Sequence, residues 1–208
     1  MVRPHAIFSL LFCIAATAQD RPQKSCNFDG FSADPKLAEV IGATVGYFGC
    51  ATAKDCLPTK LAAGDAVTLY HTDGGWTCAY LQQKDGAGPG WVKTSAIREV
   101  KADPAPPLEA WFGKWVQGDD EIRITAAKSG GKLHLAGDAV WQGGGGVAHT
   151  GEFEGDAAPA GNHLHFVEDG PDSCTVDLTL IGKYLVANDN QMCGGLNVRF
   201  WGVWKRGK

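Results

Sequence analysis

Two histidines separated by one residue have the spacing of a metal-binding pair in this 208-residue sequence. His163 and His165 fall on a predicted strand, where residues i and i+2 project from the same face. With His149 or His134 nearby, they could supply three nitrogen ligands to zinc. The apolar residues that alternate with them would face the core, so we expect the two histidines to be solvated and predict no metal site.

Carboxylates and glycines offer two further kinds of chemistry. Asp119, Asp120 and Glu121 are consecutive, but glycoside hydrolysis needs two carboxylates that face each other across a cleft, so we interpret them as a solvated turn. The glycine run 143–146 could bind phosphate only before a helix N-terminus, and a strand-like segment follows it. Serine-hydrolase, zinc-protease and nucleotide-binding motifs are absent from the sequence. These patterns predict a non-enzymatic protein, although two distant carboxylates could still meet in the fold.

Aromatic side chains are the remaining candidates for a binding site. Trp76, Tyr80 and Trp91 could form an aromatic face that holds a peptide. The alternative is that the tryptophans fill a small core, because tryptophan carries a large apolar area; we favour this for Trp91 and leave Tyr80 open. Trp201 and Trp204 differ in strand parity, so one of them should lie at a rim, either as an anchor for a partner or as a barrel cap.

The N-terminus has the three parts of a secretory signal peptide. Arg3 provides the positive charge, an apolar run covers 6–16, and Ala16-Thr17-Ala18 is a cleavage site of small residues. The apolar run is too short to span a bilayer. We therefore expect cleavage after Ala18, export to the periplasm or the exterior, and no membrane span.

The cysteine count agrees with export. Of seven cysteines, Cys13 leaves with the signal peptide, and an even number in an exported chain indicates disulfides. No CxxC-type pair suggests a metal site. We predict the pair Cys174–Cys193. In the N-terminal half two arrangements stay open: Cys56–Cys78 together with Cys26–Cys50, or a Cys50–Cys56 pair.

Composition divides the chain into two halves rich in short strands. The chain has 28 Gly, 10 Pro and 7 Trp, and its net charge of −4 comes without a cluster of Lys and Arg, which argues against nucleic acid as a partner. The segment 101–108 contains three prolines, which disfavour helix and strand. It is predicted to be a semi-rigid linker between 19–100 and 109–208, with 1–18 as signal peptide.

The first half resembles the bacterial SH3-like domain over 57–98. Strands are predicted at 66–70 and 76–80 and from residue 90, with a hairpin turn at 71–75 and a glycine-rich loop at 85–90. The resemblance is carried by Gly64-Asp65, Val67, Asp73-Gly74-Gly75-Trp76 and Gly90-Trp91-Val92. It implies a small β-barrel, which in that family often binds cell-wall peptide. The front strand of the usual domain is not visible, and cysteines occupy that region.

The second half alternates apolar and polar residues and signals no helix. Its predicted strands are 111–117, 120–125, 132–136, 139–141, 148–154, 162–167, 174–180, 184–188 and 196–205, with turns at Gly137-Asp138 and Gly182. A closed antiparallel barrel suits them best, because closure removes exposed strand edges.

Two motifs of this half support family resemblances. Gly113-Lys114-Trp115 in the first strand, with Arg199 or Arg206 in the last, resembles the calycin barrels, in which a basic side chain covers the Trp of a G-x-W motif. The segment 189–203 resembles C-terminal domains of exported bacterial proteins, some of them linked to lysozyme-inhibitor-like families.

These observations predict an all-β protein stapled by disulfides, with an SH3-like small barrel followed by a small eight-stranded antiparallel calycin-like barrel. The resemblances imply an exported, non-catalytic binding protein of the bacterial cell envelope that engages peptidoglycan or an envelope protein. The alternative is an inhibitor of a lysozyme-like hydrolase, which should present a rigid loop or edge with a protruding anchor. A small-ligand carrier and a hydrolase rank below these. No cofactor is predicted, and the sequence does not indicate the oligomeric state.

Overall fold

The computed structural model describes residues 25–27, 30, 32–49, 57–83, 86–170 and 173–208. Within these ranges the chain is all-β, with two antiparallel sheets, and the second sheet forms a nearly closed eight-stranded barrel. The predicted signal peptide and the residues Cys13, Cys50 and Cys56 lie outside the described residues. In the described part of the chain, no helix is long and apolar enough to cross a membrane.

The first sheet contains seven strands in the order β3-β2-β6-β5-β4-β1-β7. They are β1 (Lys36–Val40), β2 (Thr44–Phe48), β3 (Leu57–Leu61), β4 (Ala66–Asp73), β5 (Trp76–Gln83), β6 (Gly86–Lys93) and β7 (Ile97–Glu99). The predicted strands 66–70 and 76–80 are confirmed as parts of β4 and β5. The predicted loop 85–90 is wrong, because β6 runs through it. A Cβ at Gly90 would lie 2.2 Å from the carbonyl oxygen of Tyr47, so this glycine permits close approach of β2.

The second sheet forms the barrel in the order β11-β10-β9-β8-β15-β14-β13-β12. Its strands are β8 (Gly113–Gln117), β9 (Asp120–Ala126), β10 (Leu133–Gln142), β11 (Ala148–Ala157), β12 (His163–Val167), β13 (Thr175–Ile181), β14 (Tyr184–Asp189) and β15 (Gly202–Arg206). The predicted turn at Gly137-Asp138 is wrong, because β10 continues through it. A Cβ at Gly137 would lie 2.2 Å from the Phe153 ring, so this glycine makes room for a core aromatic.

The barrel interior is filled by large apolar side chains. Trp111, Trp115, Phe153, Phe200 and Trp204 are among its buried residues. A barrel of this size is expected to be packed with side chains, and this filled interior argues against a carrier function.

The G-x-W motif lies at the base of the barrel under a basic residue. The Arg206 guanidinium lies 4.4 Å from the centroid of the Trp115 ring, and it donates hydrogen bonds to the carbonyls of Ala110 and Phe112. Gly113 has φ of +135°, and a Cβ there would lie 2.7 Å from an Arg206 nitrogen. Of the two basic candidates, Arg206 therefore covers the tryptophan, while Arg199 contacts Trp201.

The two halves pack directly against each other. A buried cluster joins Leu37 and Ala66 of the first half to Ile181, Tyr184 and Val186 of the second. At its edge the Glu39 carboxylate accepts hydrogen bonds from the Tyr184 hydroxyl at 2.7 Å and from the Lys183 ammonium at 2.8 Å. Apolar burial and these polar contacts together hold the halves in one orientation.

Glu39 is expected to make the stability of this contact pH-dependent. Hydrogen bonds from Lys183 and then Tyr184 hold the pKa of its carboxyl below the ordinary value of 4.5. A carboxylate with a lowered folded-state pKa stabilises the fold above its unfolded-state pKa, and this contribution is lost as pH falls through the folded-state value. In urea unfolding, wild type should exceed Glu39→Gln in stability at pH 7, and the difference should shrink below pH 4.5. Glu99→Gln, an exposed site outside this contact, is the control; a pH-independent difference for Glu39→Gln would contradict the expectation.

Two disulfides lie within the described residues. Cys174–Cys193 is confirmed. The prediction of Cys56–Cys78 with Cys26–Cys50 is wrong, because Cys26 bonds to Cys78. Cys78 faces away from the core residues Ala79 and Leu81 of its own strand, so it meets the N-terminal segment that lies over the outer face of β5. The Cys50–Cys56 alternative is compatible with this bond but lies outside the described residues.

Candidate functional site

The aromatic side chains predicted as a peptide-binding face are buried by the chain itself. Trp76, Tyr80 and Trp91 are all buried. Trp76 and Trp91 pack in one cluster with the Cys26–Cys78 bond, and the ring of Tyr80 lies 5.7 Å from the ring of Trp201. The three rings therefore do not form an exposed face: Trp91 lies in the core, which is the alternative that the sequence favoured for it. Tyr80, which the sequence left open, is buried beside Trp201 of the second half.

Trp201 lies at the boundary between the halves. It is half-buried between Tyr80 and the Arg199 guanidinium, which is 4.7 Å from the centroid of its ring. Trp204 is fully buried in the barrel, as the difference in strand parity predicts for one of the two. Trp201 therefore joins the halves instead of presenting an anchor to solvent.

The candidate metal-binding histidines have separate hydrogen-bond partners. His163 Nδ1 is hydrogen bonded to the Thr179 hydroxyl at 3.1 Å, and His165 Nδ1 donates to the Asp177 carboxylate at 2.6 Å. His149 Nδ1 donates to the Leu196 carbonyl at 2.8 Å. Within the described ranges, no three His, Cys, Asp or Glu side chains gather as a metal site.

The loop 190–198, here called the stapled loop, is an irregular segment of the barrel that is held at several points. Cys193 ties its middle to Cys174 beside β13. Gly194 forms a β-bridge with Gly151 of β11, and Gly195 N donates to the Thr150 carbonyl at 3.0 Å. A Cβ at Gly194 would lie 2.4 Å from Gly151, so glycine is required where the loop crosses the strand.

Side chains at the start of the stapled loop fix its conformation further. The Asn190 side-chain oxygen accepts from Thr175 N and Met192 N, both at 3.1 Å, and its amide donates to the Ser173 carbonyl at 2.8 Å. Gln191 and Asn197 have φ of +69° and +68°, a left-handed conformation that non-glycine residues rarely adopt. The loop is therefore held in one shape by several independent contacts.

An apolar side chain protrudes from this rigid loop. Leu196 is 72 % exposed, and Met192 in the same loop and Val147 at the neighbouring end of the β10–β11 connection are exposed as well. The backbone at Leu196 is held by a hydrogen bond from His149 Nδ1 to its carbonyl. The predicted strand 196–205 did not indicate this protrusion, although the Cys193-Gly194-Gly195 run was an available signal of an irregular segment.

No protein-family model, curated protein or solved structure matches this chain. The resemblances to SH3-like domains and calycin barrels therefore rest on the motif residues and, for the second half, on the contact between Arg206 and Trp115.

Proposed function

We propose that this chain is an exported, non-catalytic binding protein that engages a protein of the bacterial cell envelope through the stapled loop, with Leu196 as anchor. The observation that carries the proposal is the 72 % exposure of Leu196 on a loop fixed by a disulfide, a β-bridge and side-chain hydrogen bonds. The predicted signal peptide and the family resemblances support a location in the cell envelope.

Rigidity is the physical reason why this loop suits a binding role. Ordering a flexible loop on binding costs free energy, and a loop already held in its bound shape avoids that cost. Interfaces draw most of their affinity from a few side chains that enter pockets on the partner. Leu196 offers apolar area of that kind, so the expected partner presents an apolar pocket.

Peptidoglycan is the less supported of the two envelope ligands. The expectation that wall peptide binds the first half came from the SH3-like resemblance, and its candidate binding residues Trp76, Tyr80 and Trp91 are buried. Co-sedimentation of the full mature chain with purified sacculi tests this arm directly. If Leu196→Asp pellets with sacculi as wild type does, another surface binds the wall, and the stapled loop is not the wall-binding site.

Inhibition of a lysozyme-like hydrolase is the second candidate function. A rigid, disulfide-held loop with a protruding apolar residue is the feature that such an inhibitor needs, and the stapled loop has it. The test is digestion of sacculi by a lysozyme with and without equimolar chain. Slower digestion with wild type but not with Leu196→Asp would support inhibition, and unchanged digestion at a large excess of chain would exclude that lysozyme as the target.

Leu196→Asp is expected to weaken partner binding by about thirty-fold or more, because central anchors contribute at least about 2 kcal/mol. The partner is identified first, with a photo-crosslinking amino acid at position 196 and, as control, at position 167, where Val167 is also exposed. A discrete adduct specific to position 196 provides the protein for affinity measurements.

Val167→Asp is the matched control for the charge change. Both substitutions replace an exposed apolar side chain, so neither should shift the thermal unfolding midpoint appreciably. Equal affinities of Leu196→Asp and Val167→Asp for the crosslinked protein, or the same adducts from both positions, would contradict the proposal.

A further inference from the structure

A cleft of about 440 Å³ lies where the two halves meet, and its lining residues lie outside the stapled loop. Gln82 of β5 comes from the first half, and the remaining lining residues belong to the barrel. They are Val116, Gln117, Gly118, Asp119, Asp120, Val140, Val203 and Lys205. Small-ligand sites typically have volumes of about 300–1,000 Å³ and occur preferentially at such interfaces.

The cleft has an apolar floor and an acidic side. Val116, Val140 and Val203 come from three different strands of the barrel. Asp119 lies in the turn that joins β8 and β9, and Asp120 is the first residue of β9. One oxygen of Asp120 accepts from Val140 N at 2.8 Å, and burial raises the pKa of this carboxyl, with the neighbouring Asp119 charge adding to the effect. A cation at this side would relieve the repulsion between the two carboxylates.

Lys205 and Gln82 complete the polar lining. Lys205 forms no ion pair within the described ranges. The Gln82 side-chain oxygen is buried and has no hydrogen-bond partner in the described part of the chain, which is costly unless a donor reaches it. Gly202 makes room for this side chain, since a Cβ there would lie 1.7 Å from the Gln82 oxygen. The lining therefore combines the two carboxylates with an ammonium that forms no ion pair in the described part of the chain.

We propose that this cleft binds a zwitterionic amino acid or short peptide. Its ammonium lies against Asp119 and Asp120, its carboxylate pairs with Lys205, and its apolar side chains cover the valine floor. A purely anionic ligand would meet the two aspartates, and a purely cationic one would leave Lys205 without a counter-charge. The site is independent of the proposed role of Leu196.

The probe is the dipeptide Ala-Ala, titrated into the full mature chain and followed by calorimetry and by amide chemical shifts. Binding should shift the amides of residues 116–120 and 203–205. N-acetyl-Ala-Ala lacks the ammonium and Ala-Ala-amide lacks the carboxylate, so each should bind about ten-fold or more weakly, as expected for loss of a charged hydrogen bond. Equal binding of the three probes, or no saturable binding of Ala-Ala at millimolar concentration, would overturn the proposal.

Variants of the cleft test which side chains contact the ammonium and the carboxylate of the ligand. Asp119→Asn combined with Asp120→Asn should abolish the preference for Ala-Ala over its acetylated form, and Lys205→Gln should abolish the preference over the amide. Lys205 is exposed, so Lys205→Gln still tests the proposal if the aspartate pair is needed for folding.

Two control variants lie outside the cleft. Asp138→Asn, on the same strand as Val140, should bind Ala-Ala like wild type. Leu196→Asp should also bind Ala-Ala normally, which separates this site from the stapled loop; unchanged preferences in the cleft variants would contradict the proposal.

Discussion

Replacing Cys174 and Cys193 together by alanine should lower the free energy of unfolding by about 3 kcal/mol. The bond closes a segment of 19 residues, and the loss of loop-closure entropy in the unfolded chain gives about that value. Alanine is chosen because both sulfurs are buried and a serine hydroxyl would need a hydrogen-bond partner there. Chemical denaturation of wild type and the double variant measures the change.

Loss of this disulfide should also release the stapled loop while the barrel persists. Amide hydrogens of 190–198 should exchange faster with solvent. The amide hydrogens of the β8–β9 hairpin should rank in the same order of exchange rates as in wild type. Affinity for the crosslinked partner should fall although Leu196 is unchanged, because the loop then loses entropy on binding. A double variant with wild-type stability and affinity would show that the remaining contacts suffice and that the bond has no role in presenting Leu196.

Asp189→Ala should destabilise the protein by about 3–5 kcal/mol, the usual result of removing one member of a buried ion pair. The Asp189 side chain is fully buried, and it accepts from Arg199 Nε at 2.7 Å and from Phe200 N at 2.7 Å. These contacts join the end of β14 to the segment after the stapled loop and so close its base. The variant leaves a partly buried guanidinium and a buried backbone N–H without their acceptor.

Asp177→Ala is the matched control on the adjacent strand. The Asp177 side chain is 60 % exposed and pairs with the equally exposed His165, so its removal should change stability by less than about 0.5 kcal/mol. Asp189→Asn retains an acceptor for Phe200 N and should fall between the two. If Asp189→Ala and Asp177→Ala lower the free energy of unfolding in urea by similar amounts, Asp189 does not hold the base of the stapled loop.

Local sequence patterns predicted strand positions because the alternation of apolar and polar residues along a strand reflects which side chains are buried. Leu164 and Phe166 are buried while His165 is exposed, and Ile122 and Ile124 are buried while Arg123 is exposed. The hairpin turn at Gly182 is confirmed by the pairing of β13 with β14. Such predictions succeed because neighbouring residues in a strand project from opposite faces and one face meets the core.

Several glycines that suggest loops or turns in the sequence lie within strands. Gly88 and Gly90 suggested a loop and Gly137 a turn, yet each lies within a strand. Their role is steric: Gly90 admits the backbone of β2 and Gly137 admits the Phe153 ring. A sequence does not distinguish a glycine needed for a positive φ from one needed for close approach, because the neighbour in space is distant along the chain.

By itself, the sequence determined the all-β class, the presence of strands on both sides of 101–108 and the Cys174–Cys193 bond, since each depends on local alternation or short spacing. The tertiary structure alone decided the Cys26–Cys78 bond, the burial of Trp76 and Tyr80, the choice of Arg206 over Arg199, and the protrusion of Leu196. Those features arise where segments far apart in the chain meet, and the contacts between them leave no periodic signal in the sequence.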